Sequence, residues 1–129
     1  MSTFKTFEEI EAWQKARLLV SEIYAMTNQG AFAKDYALRD QIRRAGISIM
    51  SNIAEGFGRD GAREFVQFLS IAKGSVNEVK AQFYVALDQG YISQRDFDSA
   101  SVLIAEIAGQ IGGLMRYLQQ ADIKGTKFK

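Results

Sequence analysis

The chain's 129 residues carry 16 basic and 15 acidic side chains, a net charge of +1. That length suits one domain, and that charge is not the strongly basic footprint of a dedicated nucleic-acid binder. With no Cys and no His, thiolate nucleophiles, disulfides, Ser-His-Asp triads and His- or Cys-ligated metal sites are all removed, and no cofactor is expected.

Hydrophobic residues make up 47% of the chain and proline is absent, a combination that argues against disorder and favours long helices. The first segment begins at Thr6. Thr6-Phe7-Glu8-Glu9 fits a capping box, in which the hydroxyl reaches the Glu9 amide and the carboxylate reaches back. Ala12, Ala16, Leu19, Ile23 and Met26 then recur at helical spacing, and Asn28-Gln29-Gly30 ends the run.

The second segment starts near Asp35, with Leu38, Ile42, Ala45, Ile49 and Ile53 as its core stripe. Gly56, Phe57 and Gly58 are expected to close it, because glycine takes the left-handed conformation that terminates helices. Asp60 suits an N-cap for the third segment, whose inner face is Phe65, Phe68, Leu69, Ala72, Val76, Val79 and Phe83. Asp88-Gln89-Gly90 stops it, and Tyr91 is expected to pack the turn. Ser93-Gln94-Arg95-Asp96 resembles a second capping box, followed by Phe97, Ala100, Ile104, Ile107, Ile111 and Leu118. A short basic tail runs over 122–129.

The predicted helices cover about 7–28, 35–55, 61–88 and 94–121, all within one domain spanning 1–129. Short connections between them imply neighbours of opposite direction, hence an all-α, antiparallel up-down-up-down four-helix bundle. Met1 to Phe7 contains no signal-peptide core, and no run approaches a membrane span, so a cytoplasmic protein is expected.

The second helix carries more apolar surface than its core stripe needs. Gly46, Ile47, Met50, Ala54 and Phe57 fall on one flank of that stripe, widening the apolar side to roughly 200°. Either this is the most buried helix of the bundle, or the flank packs on another subunit. Leu18 points away from the core stripe of the first helix and favours an interface. Ser70, Gly74, Asn77 and Ala81 line one side of the third helix, and Ala105, Gly109 and Gly112 one side of the fourth. Close approach of another backbone would offset the cost of mid-helix glycine, about 1 kcal/mol. Tight packing within the bundle would do the same.

Catalytic chemistry finds little support. Glu55, Glu64, Glu78 and Glu106 are the candidate semi-buried acids, and each reads better as an ion-pair or capping residue than as a metal ligand. Gly56-Phe57-Gly58-Arg59-Asp60-Gly61 lacks the strand, the Lys and the Ser/Thr of a phosphate loop, although Arg59 and Arg63 sit where an anion could be met. Arg39, Arg43 and Arg44 cluster on the second helix. They are candidates for nucleic-acid phosphate, together with Lys124, Lys127 and Lys129 of the tail. The competing and favoured reading pairs the arginines with Asp40, Glu55 or Glu64.

The sequence resembles the four-helix-bundle family named for open reading frames inside 23S rRNA intervening sequences. The matching residues include Trp13-Gln14-Lys15-Ala16, Ile23-Tyr24 and Gln41-Ile42-Arg43-Arg44-Ala45. Ser48-Ile49-Met50-Ser51-Asn52-Ile53-Ala54-Glu55-Gly56 follows, then Glu64-Phe65, Phe68-Leu69-Ser70-Ile71-Ala72, Gly74-Ser75, Glu78 and Leu87-Asp88-Gln89-Gly90-Tyr91-Ile92. One departure is Met50, where the family often has proline.

The resemblance implies a ring-like homopentamer with no established enzymatic activity. It therefore implies a non-enzymatic homo-oligomeric scaffold or interaction module, with Leu18, Gly46, Ile47, Met50, Ala54 and Phe57 as candidate interface residues. A related bundle is the nucleic-acid-associated accessory protein of reverse transcriptases. The alternative expectation is accordingly an RNA- or DNA-binding accessory protein using Arg39, Arg43, Arg44 and the lysine tail. No small-molecule substrate and no membrane partner is expected.

Overall fold

A 3-10 turn, Phe7–Glu9, precedes five α-helices in the computed structural model, which describes residues 4–123. The helices are α1 (Glu11–Thr27), α2 (Gly30–Lys34), α3 (Tyr36–Phe57), α4 (Ala62–Asp88) and α5 (Gln94–Ile123), with no strand among the described residues. The four long helices share one apolar core. α1 and α4 each lie beside both α3 and α5.

The predicted stripes form that core. Leu19 and Ile23 of α1, Ile42, Ile49 and Ile53 of α3, Phe65, Leu69 and Phe83 of α4, and Ile107, Ile111 and Leu118 of α5 are almost wholly buried. Each such side chain contributes about 1.5–3 kcal/mol through removal from water. The buried polar residues Thr27 and Ser75 are hydrogen-bonded, Thr27 donating to the Ile23 carbonyl at 2.7 Å and Ser75 to Ser48 Oγ at 2.9 Å, whereas the buried Oε1 atoms of Gln82 and Gln110 meet no donor among the described residues.

Facing residues fix the helix registers. Gln41 meets Gln82, Ser48 meets Ser75, and Gly56 lies against Phe65 and Phe68, so residue numbers climb along α3 as they fall along α4. The same opposed order holds between α1 and α5, where Glu11 meets Gln110 and Lys15 meets Glu106.

Several helix ends differ from expectation. Thr6 makes no side-chain cap; instead Glu9 Oε1 accepts from the Lys5 amide at 3.0 Å, and α1 starts only at Glu11. Ile10 explains the delay: its backbone is extended at φ −75°, ψ 120°, and its side chain is buried in the core. The chain between Thr27 and Asp35 contains α2, a short helix that places Phe32 in the core.

Gly56 and Gly58 are not left-handed. Gly56 stays within α3, and Gly58 has φ −76°. The left-handed residue is Gly61 at φ 90°, which also takes the N-cap position of α4 expected for Asp60.

Other ends follow their residues. Asp35 caps α3 by accepting the Leu38 amide at 3.2 Å, and Ser93 Oγ accepts the Asp96 amide at 3.0 Å. Gly90, at φ 74°, terminates α4 in a Schellman motif: the Tyr91 amide donates to the Ala86 carbonyl and the Gly90 amide to Leu87.

Candidate functional site

The arginine cluster on α3 splits into held and open members. Arg43 lies over the Tyr24 ring at 4.4 Å, and donates to Thr27 Oγ1 and Asn28 Oδ1 at 2.9 Å each. It clamps the end of α1 onto α3. Arg39 pairs with Asp40 at 2.9 Å, donates to the Ala33 carbonyl and lies over Tyr36. Of the expected acidic partners, Asp40 is therefore used by Arg39, whereas Glu55 pairs with Arg59 at 2.7 Å. Arg44 is exposed and lines an open cleft between α3 and α4 with Gln41, Ala45, Ser48 and Glu78. Lys124, Lys127 and Lys129 lie outside the described residues.

The cleft, about 370 Å³, is floored by a polar seam. Ser48 Oγ accepts from Ser75 and from Asn52, and Gln82 donates to Gln41 at 3.4 Å. The four carboxylates expected to be semi-buried are exposed. Glu106 pairs with Lys15 and Glu55 with Arg59, on the surface where ion pairs contribute little. No group of three or more acidic, His or Cys side chains is placed to hold a metal among the described residues.

Part of the surplus flank of α3 is used inside the chain, Gly46 against α1 and Phe57 against α4. Gly46 is buried; a Cβ there would lie 2.9 Å from Ile23 Cδ1 and 3.4 Å from Val20 Cγ2. Met50 and Phe57 are half-buried against the core, with Phe57 edge-on to Phe65. Ala54 is half-buried. Two of the six candidate interface residues are substantially exposed: Leu18 at 58% and Ile47 at 41%.

Sequence reasoning passed over other exposed apolar side chains, notably Ile71 at 53% and Val102 at 62%. The signal was present. Ile71 follows Leu69, and Val102 precedes Ile104, by two residues, which is about 200° around a helix. The small residues of α4 and α5 also point outward. A side chain at Gly74 or Gly109 would meet nothing within 4 Å, so packing within the bundle does not account for these glycines. None of the described helices is long and apolar enough to cross a membrane.

No curated protein matches the chain. Among solved structures, it is similar to a protein with unknown function from the S23 ribosomal protein family from Bacteroides thetaiotaomicron. The two share 22% identity over 81% of this chain and 97% of that one, with a TM-score of 0.73, a likeness of fold. The family model for the 23S rRNA-intervening sequence protein matches residues 8–113. That match takes in all of α1 to α4 and much of α5, and the chain belongs to the 23S rRNA-intervening sequence protein family.

Proposed function

We propose that this chain is a non-enzymatic, cytoplasmic scaffold or interaction module, an antiparallel up-down-up-down four-helix bundle that works as a ring-like homopentamer. The opposed residue order between neighbouring helices supports the topology. The observation that carries the assembly is the set of apolar side chains left on outward faces of all four long helices: Leu18, Ile47, Ile71 and Val102. Spread over separate helices, they suit two different contact surfaces per copy. Such head-to-tail contacts generate rings when the rotation closes.

An RNA- or DNA-binding accessory role is the second reading. It is favoured by the exposed Arg44 and weakened by the intrachain contacts that hold Arg39 and Arg43. Size exclusion with light scattering, read at 260 and 280 nm, tests both. A mass about five times the 14.4 kDa chain is expected. A monomer would overturn the scaffold reading, and excess 260 nm absorbance in the protein peak would put nucleic acid first.

A further inference from the structure

The outward face of α4 carries Ile71, Gly74, Glu78 and Val85 at spacings of three, four and seven residues, so they share one side of the helix. Ile71 and Val85 are largely exposed, and a side chain at Gly74 would meet nothing. Glu78 lies between them and forms no ion pair in the described chain. The stripe thus carries one anion between exposed apolar side chains, beside the cleft that Glu78 shares with Arg44.

The outward face of α1 is its counterpart. Trp13, Gln14, Arg17, Leu18 and Ser21 line a shallow depression there. Arg17 is the one charge among these five residues. Its guanidinium lies 6.0 Å from the Trp13 ring centroid and pairs with no carboxylate in the described chain. Leu18 and Tyr24 flank it as exposed apolar groups.

We infer that the α4 face of one copy docks on the α1 face of the next, with Glu78 pairing with Arg17 across the junction. This rests on the homo-oligomer reading above and specifies its interface. Glu78 shares its cleft with Arg44 and Gln41, and Arg17 its depression with Gln14 and Ser21, yet neither charge forms an ion pair among the described residues, and burying either against an uncharged surface would be unfavourable. Placed against each other, the two charges satisfy that requirement and fix the register. Gly74, one turn before Glu78, lets the partner helix approach closely. The two faces differ, so the contact is heterologous and each copy offers one of each, as a closed ring requires.

Charge reversal tests the pairing. Light scattering across a dilution series, with circular dichroism to confirm helicity, would compare wild type, Glu78→Arg, Arg17→Glu and the double variant. Each single reversal should raise the concentration at which the oligomer dissociates by about tenfold or more, and the double variant should recover most of that loss. Gly74→Leu, which has open space in the isolated chain, should also dissociate the oligomer while leaving the helices intact. An oligomeric wild type whose assembly ignores the single reversals, or whose double variant recovers nothing, would overturn this pairing and leave the oligomer reading standing. A monomeric wild type would overturn both.

Discussion

The Tyr91 hydroxyl donates to Asp35 Oδ2 at 2.9 Å, joining the turn after α4 to the N-cap of α3. The same carboxylate accepts the Leu38 amide through Oδ1, and the Tyr91 ring stacks on Phe32 at 5.2 Å. One aspartate therefore starts α3, secures the α4–α5 turn and holds the buried Phe32 of α2 in place. The hydrogen bond to Asp35 raises the Tyr91 pKa above its ordinary 10.0, with burial and the aspartate's charge adding to the effect. A raised tyrosine pKa means that stability is fully present below the unfolded value and is lost as pH rises through the folded one. Tyr91→Phe should lower the urea midpoint at pH 8, and the deficit should shrink as pH rises beyond about 10, where the unfolded tyrosine ionises more readily than the folded one. A constant deficit across that range would show that the hydroxyl does not carry this effect.

Asp35→Ala should do more damage than Tyr91→Phe, because it removes the helix cap as well as the turn contact. Loss of the cap alone is worth about 1 kcal/mol. Urea unfolding of both single variants and the double variant forms a thermodynamic cycle. The expected result is a double variant no less stable than Asp35→Ala alone, since the tyrosine's partner is already gone.

The glycines give opposite signs by position. A Cβ at Gly56 would lie 2.7 Å from Phe68 Cβ and 2.9 Å from Phe65 Cδ1, inside the contact of α3 with α4. Gly56→Ala should cost about 1–3 kcal/mol through overpacking. Gly109→Ala sits mid-helix in open space and should stabilise the isolated chain by about 1 kcal/mol. Thermal melts of the two variants against wild type check both signs in one experiment.

The stripes, the Gly90 stop and the Ser93 cap were legible because each depends on residues close in sequence. The apolar period selects the buried face, and local hydrogen bonds select the ends. What was not legible depended on a neighbour distant in sequence. Gly56 looked like a helix terminator, yet its use is to admit Phe65 and Phe68 of α4. Ile10 delays α1 because its side chain is needed in the core. The apolar flank of α3 looked like one surface, but α1 covers Gly46 and leaves Ile47 outside. The arginines were harder still: Arg43 is fixed by Thr27 and Asn28, neither of which is charged, so no count of acidic neighbours reveals it.

Arg43 and Arg44 adjoin in sequence but should behave differently. Arg43→Ala removes two hydrogen bonds and a cation–π contact between α1 and α3, a loss of about 1–3 kcal/mol. Arg44→Ala removes an exposed cleft residue and should stay within about 0.5 kcal/mol of wild type. If the chain binds nucleic acid, Arg44→Ala should weaken binding and reduce its salt dependence while leaving the unfolding curve in place. Equal destabilisation by both substitutions would contradict the division into a held and an open arginine.

Glu22 provides a test at acid pH. It is half-buried on α1, no hydrogen bond or ion pair among the described residues neutralises it, and burial lifts its carboxyl above the ordinary 4.5. A carboxyl raised in the folded state contributes stability that is fully present below the unfolded pKa and lost as pH rises through the folded one. Above the unfolded pKa Glu22 is therefore a burden on the fold, whereas at pH 3 it is not. Glu22→Gln keeps the shape and removes the ionisation. The variant should unfold at higher urea than wild type at pH 7, with the gap closing as pH falls through the carboxylate range. A variant weaker than wild type at pH 7 would instead mean that the ionised carboxylate is stabilised where it lies.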